Sequence, residues 1–266
     1  MSSQRISRTV KPKKALGQHF LKDADIACRI AATLDDYKSM PVLEIGPGMG
    51  MLTRPLLDAG HDLTVVELDV ESVAYLSIHF PELKGRILGE DFLKCDLSNL
   101  FPDKFCVIGN YPYNISSQIF FKVLDFKDHI PCCSGMIQKE VAERLASPPG
   151  SKAYGILSVL LQAWYDVEYL FTVSEHVFDP PPKVKSAVIR MTRNNVTSLG
   201  CDEVLFKRVV KTAFNQRRKT LRNSLRPLVG DAISQLTDGV YNRRPEQLSV
   251  AEFIELTKKI DAIINK

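Results

Sequence analysis

The stretch Val42-Leu43-Glu44-Ile45-Gly46-Pro47-Gly48-Met49-Gly50 decides the fold of this 266-residue chain. Its first four residues form a short apolar run typical of a buried strand, and the three alternate glycines permit a sharp turn. The segment 51–57 then has the composition of a helix start, and 62–67 that of a second strand ending in an acid. A strand, a helix and a strand in this order predict a parallel pair of strands.

The pattern of strands and helices continues along most of the chain. Further strand-like segments are 85–88, 105–109, 135–137 and 186–191, with helical stretches between them. This alternation predicts an α/β protein with a doubly wound sheet. After residues 193–195 no strand-like run follows, and apolar residues recur at helical spacing from Phe206 to Phe214. We therefore predict two domains, residues 1–195 with a basic N-terminal extension and residues 196–266 as a small helical domain.

Composition excludes several classes of protein. The chain is 45% hydrophobic and 25% charged, which is typical of globular proteins and not of disordered or collagenous chains. No apolar run approaches the ~18 residues of a membrane helix, and the N-terminus lacks the apolar core of a secretory signal. The six cysteines form no CxxC pair and the five histidines are scattered, so no metal site is predicted. We expect a soluble cytoplasmic protein with reduced thiols.

Positive charge is concentrated at the two ends of the chain. Residues 183–266 carry 17 Lys and Arg against 8 Asp and Glu, and the first 22 residues carry six basic groups and no acid. Such charge fits either the solvated faces of surface helices or a surface that binds nucleic acid. Charge alone does not decide between them.

The glycine turn predicts a site for a nucleoside cofactor. Gly46, Gly48 and Gly50 let the backbone approach a ligand closely, and Glu67, at the end of the second strand, can bind both hydroxyls of a ribose. A dinucleotide and S-adenosylmethionine both suit such a site. Dinucleotide sites usually have the spacing GxGxxG, and here the third position is Met51. The spacing, with Glu44 close to the loop, favours S-adenosylmethionine, whose amino-acid tail is cationic and which carries no phosphate.

Two further segments supply a binding and an acceptor function. Asp91 ends the third predicted strand, where a carboxylate could accept a hydrogen bond from the adenine amine of the cofactor. Phe92 could pack beside the ring, and a plain core phenylalanine is an equally good interpretation of it. The segment Asn110-Tyr111-Pro112-Tyr113 follows the fourth strand. A side-chain carbonyl from Asn110 and a backbone carbonyl of the turn can accept both N–H bonds of an exocyclic amine, while Tyr113 stacks on its ring. A plain loop after a strand is the alternative interpretation.

With these motifs the chain resembles the ribosomal RNA adenine N6,N6-dimethyltransferases over nearly its whole length. Four separated segments carry the resemblance: Leu16-Gly17-Gln18-His19-Phe20-Leu21, Glu44 to Gly50, Asn110 to Tyr113, and Phe178-Asp179-Pro180-Pro181-Pro182-Lys183-Val184-Lys185-Ser186. The resemblance implies a class I, Rossmann-like methyltransferase sheet. One departure is Tyr111, where the family usually carries leucine, so the acceptor loop is expected to differ slightly in shape.

The resemblance also assigns roles to individual residues. It implies that the S-adenosylmethionine site is lined by His19, Leu21, Gly46, Glu67, Asp91 and Asn110. It implies that Asn110, Pro112, Tyr113 and Phe178 act on the target base, with Tyr113 and Phe178 on its two faces. By resemblance, the targets are two adjacent adenines in the hairpin loop near the 3′ end of small-subunit (16S) ribosomal RNA. The implied partner is a late precursor of the 30S subunit. Nothing in the sequence suggests an obligate oligomer, so we expect a monomer.

The helical tail contains a basic segment that also looks like a family segment. Arg217, Arg218, Lys219 and Arg222 are the predicted RNA-binding residues. Leu221, Leu225 and Leu228 would form a buried stripe, which would leave Arg218, Arg222 and Arg226 one turn apart for a phosphate backbone. A solvated basic helix face is the alternative.

Three rival functions stay open at this stage. One is an adenine methyltransferase of the antibiotic-resistance type that acts on large-subunit RNA, which shares the acceptor motif. Another is a ribosome-assembly factor that binds RNA with little catalysis. A dinucleotide-dependent dehydrogenase is disfavoured by Met51 and by the lack of an evident acid or base for hydride transfer.

Overall fold

The computed structural model describes residues 10–265. The predicted N-terminal extension falls in part outside these residues, at Arg5 and Arg8. The chain divides into two compact units: the first runs to Lys139 and resumes over Glu168–Thr192, and the second comprises Glu140–Val167 and the chain from Arg193 onward. The second unit thus joins the helical tail to residues 140–167, while the domain limits 1–195 and 196–266 stay a prediction.

The strands form a two-stranded and a seven-stranded sheet within the described residues. Their bounds are β1 Phe20–Leu21, β2 Val42–Ile45, β3 Leu63–Val66, β4 Ile87–Leu88, β5 Cys106–Asn110, β6 Cys132–Gln138, β7 Tyr165–Val173, β8 Phe178–Asp179 and β9 Ser186–Arg193. The large sheet has the order β4-β3-β2-β5-β6-β9-β7. All six strands predicted from the sequence are confirmed, and β7 was not predicted.

The order of the sheet fixes the position of a ligand crevice. Strand β2 pairs in parallel with both β3 and β5, which lie on its two sides. The chain first adds strands on one side of β2 and then on the other, so the strand order reverses at β2. Strands β4 and β6 extend the parallel arrangement on the two sides, and β9 pairs antiparallel with β6. In such sheets ligands bind beyond the carboxyl ends of the strands, where the order reverses. The predicted glycine turn follows β2 at this point.

Helices flank the sheet and make up most of the second unit. Their bounds are α1 Ala24–Ala31, α2 Thr53–Asp58, α3 Val70–His79, α4 Leu97–Leu100, α5 Ser116–Asp125, α6 Lys139–Ala146, α7 Ile156–Gln162, α8 Glu203–Asn215, α9 Leu221–Ser224, α10 Arg226–Val229 and α11 Val250–Ile264. Side-chain caps define several of their starts. Asp69 caps α3, and Ser249 with Glu252 forms a capping box at α11.

The short pair β1 and β8 brings distant parts of the chain together. Phe20 pairs with Asp179 and Leu21 with Phe178 in antiparallel register, so the N-terminal motif lies beside the proline-rich segment. Leu21 and Phe178 are buried in the core that α1 and the central strands also fill. This packing fixes the N-terminal motif near the end of β2.

The cysteines are free thiols, as the sequence predicts. Cys106, Cys132 and Cys133 lie in the sheet, where burial raises the pKa of each thiol to about 12, so they are protonated at neutral pH. Among residues 10–265 no cluster of His, Cys, Asp or Glu is arranged to hold a metal ion. Within the same residues, no helix combines the length and the apolar composition needed to span a membrane.

Candidate active site

A cavity of about 460 Å³ lies at the carboxyl ends of the parallel strands. Eight of the predicted site residues line it: His19, Leu21, Gly46, Glu67, Asp91, Asn110, Pro112 and Tyr113. The fold therefore places residues from five separated segments around one space large enough for a cofactor and the reacting part of a substrate.

The glycine loop forms the floor of the cavity. Gly46, Gly48 and Gly50 all have positive φ, at 67°, 57° and 83°, which side chains rarely permit. A Cβ on Gly48 would lie 2.9 Å from the Phe20 ring, and one on Gly50 would lie 2.2 Å from the Phe80 ring. The alternate glycines are thus required by both the turn and its packing.

Glu67 is held at the end of β3 by backbone donors. One carboxylate oxygen accepts a hydrogen bond from the N–H of Gly48 at 3.0 Å, and the other from the N–H of Asp69 at 2.8 Å. Each oxygen keeps a lone pair, so the group can accept two further hydrogen bonds from vicinal hydroxyls. Burial raises its pKa, while the backbone bonds oppose the shift.

Glu44 does not line the cofactor cavity, although its position next to the glycine loop in the sequence suggests that it would. Its carboxyl group is buried beneath the glycine loop, accepts a hydrogen bond from the Thr53 hydroxyl at 2.7 Å and does not line the cavity. Burial raises its pKa to about 8, so it is largely protonated at neutral pH. Its role in this structure is to bind α2 to β2.

Asp91 lies in a loop that is fixed from below by a lysine. The Asp91 carboxylate accepts a hydrogen bond from Leu93 N–H at 3.0 Å, and both residues line the cavity. Lys122, on α5, donates to the carbonyls of Phe92 and Cys95, at 2.6 Å each. Sequence reasoning missed Lys122, because no motif contains it and only the packing of α5 brings it to this loop.

The N-terminal segment lines the site and is fixed by one acid, Asp69, and by the side-chain amide of Asn110. Lys13 forms an ion pair with the buried Asp69, and Gln18 donates to the same carboxylate at 3.4 Å. Asn110 donates from its amide nitrogen to the carbonyl of His19 at 3.2 Å. This bond leaves the Asn110 side-chain oxygen as its acceptor.

Tyr113 has its ring and its hydroxyl both engaged. The ring stacks on His19 with centroids 5.4 Å apart, and the hydroxyl shares a hydrogen bond of 2.5 Å with Ser186. His19 in turn bonds the carbonyl of Pro180 through Nδ1, at 2.7 Å. Burial raises the Tyr113 pKa, so the phenol is neutral and serves as a flat surface and not as a base.

Phe178 is not in the cavity. Its side chain is 1% exposed and packs in the core through the β1–β8 pair, whereas Tyr113 lines the cavity. The structure therefore does not bring these two rings together around an open space. The stacking role of Phe178 stays a prediction that requires the ring to leave the core.

The predicted RNA-binding residues lie in the second unit, on a segment that is not one continuous helix. Helix α8 ends at Asn215, and the short helices α9 and α10 begin only at Leu221 and Arg226. The expectation that Arg218, Arg222 and Arg226 project one turn apart from a single helix is therefore wrong, because the chain turns between them.

Burial in this segment follows the predicted apolar stripe only in part. Leu221 and Leu225 are fully buried as predicted, whereas Leu228 is half-buried and Val229 takes the buried position. Arg217 donates to the carbonyl of Ser151 at 3.3 Å, so it also holds the segment in place.

The basic residues of the segment differ in exposure. Arg218 and Lys219 are exposed and Arg222 is half-buried. Lys219 and Arg226 line an open depression of the second unit with Gln216, Asn223 and Pro227. Two cations beside two amides form a surface that suits phosphate groups.

The parallel sheet of this order, with an antiparallel β9, a glycine loop after the central strand and an acid after the next one, defines a class I methyltransferase. The model of the family described as "Ribosomal RNA adenine dimethylase" matches residues 9–262. The chain belongs to this family.

Close relatives and solved structures agree with this membership. The "Ribosomal RNA small subunit methyltransferase A" of Parabacteroides distasonis is 76% identical over 250 residues, which cover 94% of each chain. The protein of the same name from Bacteroides thetaiotaomicron is 65% identical over 255 residues, which cover 96% of each chain.

Two solved structures resemble the chain over most of its length. A dimethyladenosine transferase from Plasmodium falciparum has a TM-score of 0.78 at 23% identity, covering 92% of this chain and 98% of that one. The 23S rRNA methyltransferase ErmE has a TM-score of 0.65 at 28% identity, covering 91% and 99%. The first of these likenesses concerns the fold alone.

Proposed function

We propose that the protein transfers methyl groups from S-adenosylmethionine to N6 of two adjacent adenines in the 3′-terminal hairpin loop of small-subunit (16S) ribosomal RNA, giving N6,N6-dimethyladenosines. The observation that carries this proposal is that the acceptor residues Asn110 and Tyr113 lie in the same cavity as Glu67 and Asp91. The small-subunit methyltransferases of the two relatives, at 76% and 65% identity, support the choice of RNA.

The residues of the cavity fit S-adenosylmethionine. When bound, this cofactor supplies a methyl group activated by a sulfonium. Glu67 has a free lone pair on each oxygen for the ribose hydroxyls, and Asp91 offers an oxygen to the adenine amine. The glycine loop carries Met51 at the position where dinucleotide sites usually have a third glycine, which favours a cofactor without a pyrophosphate.

Asn110 orients the acceptor nitrogen. Because its amide nitrogen already donates to the His19 carbonyl, its oxygen is the group that accepts an N–H bond from adenine N6. Accepting this bond favours a pyramidal nitrogen, whose lone pair can then point toward the methyl donor. Tyr113 provides the flat surface against which the base is held.

No side chain of the cavity has to act as a general base before transfer. Tyr113 is a neutral phenol, and Glu44 lies outside the cavity in a hydrogen bond to Thr53. Adenine N6 becomes acidic once it is methylated and cationic, so its proton can pass to water afterwards. The chain's contribution is thus positioning and exclusion of water, repeated for the second methyl group.

The target adenine comes from a single-stranded loop, where leaving the stack costs least. The excess of positive charge in residues 183–266 supports contact with the phosphate backbone of the 30S precursor, through residues such as Arg218 and Lys219. A ribosomal substrate would place the protein in the cytoplasm. We also propose that it acts as a monomer. Intact site residues favour catalysis over a purely structural role in assembly.

Methyl transfer to the two purified subunits tests the proposal. Labelled S-adenosylmethionine is supplied with undermethylated small subunits and, separately, with large subunits. We expect label in the small subunit only. Label in the large subunit would instead assign the protein to the methyltransferases that act on large-subunit RNA; the 23S rRNA methyltransferase ErmE is 28% identical to this chain. Tight binding to small subunits without methyl transfer would favour the function of a ribosome-assembly factor.

A further inference from the structure

The loop from Pro180 to Ser186 is fixed to the acceptor site at both ends. At its start, the Pro180 carbonyl lies 2.7 Å from Nδ1 of His19. At its end, the Ser186 hydroxyl shares a hydrogen bond of 2.5 Å with the hydroxyl of Tyr113. Any group at the tip of this loop is therefore held at a set distance from the ring on which the target base is proposed to stack.

The tip of the loop presents an apolar side chain between two cations. The backbone bends at Lys183 and Val184, immediately after the buried Pro182. Val184 is 47% exposed, and Lys183 and Lys185 are exposed on either side of it. No ion pair of either lysine is found among residues 10–265, but the charge of Lys185 adds to a backbone hydrogen bond in lowering the pKa of Glu175. The three prolines 180–182 limit the motion of the tip.

An exposed valine is common on protein surfaces, but Val184 lies on a loop that is hydrogen-bonded to the acceptor site, so it could contact the target RNA. Enzymes that take a base out of a stack must compensate for lost stacking, and apolar side chains that insert between bases do so. Phe178 cannot act in this way while it is 1% exposed in the core. Among the exposed apolar side chains of this loop, Val184 is the one at the bend between the two lysines, whereas Pro180 and Pro181 lie before the bend.

We propose that Val184 inserts into the RNA hairpin loop beside the target adenine while Lys183 and Lys185 bind the phosphates that flank it. This inference rests on the proposed function and deepens it by naming the residues that hold the adenine out of the stack. The partner is a single-stranded RNA loop, because its phosphates complement the two lysines and its bases are accessible to a valine.

Variants of similar size separate insertion from folding. Val184→Thr keeps the shape and makes the tip polar, Val184→Leu keeps it apolar, and Val70→Thr changes a valine that is 78% exposed on α3 as the matched control. Each is tested for single-turnover methyl transfer to undermethylated small subunits, for binding to those subunits and for binding of S-adenosylmethionine.

We expect Val184→Thr to transfer at least about tenfold more slowly at saturating subunits, which corresponds to about 1.4 kcal/mol. Its binding of subunits and cofactor should stay within about twofold of wild type, since phosphate contacts dominate affinity. Val184→Leu and Val70→Thr should transfer at nearly the wild-type rate. This split between rate and binding would not arise from a purely structural role.

The two lysines are tested by their salt dependence. Lys183→Gln and Lys185→Gln should each weaken binding to small subunits and lower the slope of log affinity against log salt by about 0.7 to 0.9. Lys84→Gln, a change of an exposed lysine elsewhere in the first unit, should leave the slope unchanged.

A transfer rate of Val184→Thr within twofold of wild type would overturn the inference, and so would unchanged salt slopes in both lysine variants. Failure of the proposed function has a different signature. In that case the wild-type protein itself transfers no methyl group to small subunits, although it still binds S-adenosylmethionine.

Discussion

Tyr111 is the point at which this chain departs from the usual family motif, and replacing it by leucine should be costly. The side chain is 1% exposed, and its hydroxyl donates to the Ser134 carbonyl at 2.6 Å. Its ring lies over two glycines on adjacent strands: a Cβ on Gly109 would be 3.0 Å from the ring and one on Gly135 only 2.7 Å. The tyrosine thus fills space that those glycines leave open.

The magnitude follows from these contacts. Tyr111→Phe removes the donor from a buried carbonyl and should cost about 1–2 kcal/mol. Tyr111→Leu removes the same donor and also leaves a cavity over the glycines, so the total loss should be about 3–4 kcal/mol. The free energy of unfolding is measured by urea denaturation followed by circular dichroism, because the single tryptophan, Trp164, lies in the second unit.

A matched control separates the buried bond from tyrosine chemistry in general. Tyr169→Phe removes an exposed hydroxyl that bonds Thr172 at 2.6 Å, and it should change stability by less than about 0.5 kcal/mol. The reasoning is refuted if Tyr111→Leu unfolds within about 0.5 kcal/mol of wild type, since neither the bond nor the packing would then contribute.

Three other predictions concern the loops and the core. Lys122→Met should weaken S-adenosylmethionine binding about tenfold in calorimetry with kcat nearly unchanged, because two carbonyls of the Asp91 loop lose a charged donor. Lys84→Met should leave the affinity unchanged. A wild-type affinity in Lys122→Met would contradict the role assigned to Lys122. Burial lowers the pKa of His61 below its ordinary value of 6.5, so as the pH falls the unfolded state binds the proton before the folded state does. The stability that neutral His61 contributes is therefore fully present above about pH 6.5 and decreases below it. His61→Phe should flatten the change in Tm between about pH 8 and about pH 5. Gly50→Ala should lower Tm strongly, since its Cβ would lie 2.2 Å from the ring of Phe80 at a φ of 83°, and a stable variant would show that the loop can move.

The sequence predicts the sheet well because its strands are short apolar runs that end in glycines or acids. Strand β7 was missed although Tyr165, Val167, Tyr169, Phe171 and Val173 alternate with polar or smaller side chains over most of its length. Its period of two is a usable signal. The strand follows directly on the helix Ile156–Gln162, and the apolar residues of that helix obscured where the strand begins.

The site could be predicted residue by residue only where motifs carry it. Glycine spacing and the acids after strands identify Glu67 and Asp91, because the ends of parallel strands meet at one edge. Lys122 and the burial of Phe178 depend on packing between distant segments, which no local pattern encodes. The turn after Asn215 likewise breaks a helix that composition alone would continue.

The most direct test of the central claim is the nucleoside product formed on undermethylated small subunits by wild type, Asn110→Ala and Asn99→Ala. Asn99 is an exposed asparagine that bonds Asp96 and does not line the cavity, so it is the matched control. We expect two N6,N6-dimethyladenosines per subunit with wild type and Asn99→Ala, and a rate at least about 100-fold lower with Asn110→Ala. Dimethylation by Asn110→Ala at the wild-type rate would contradict the claim that this cavity positions the acceptor nitrogen.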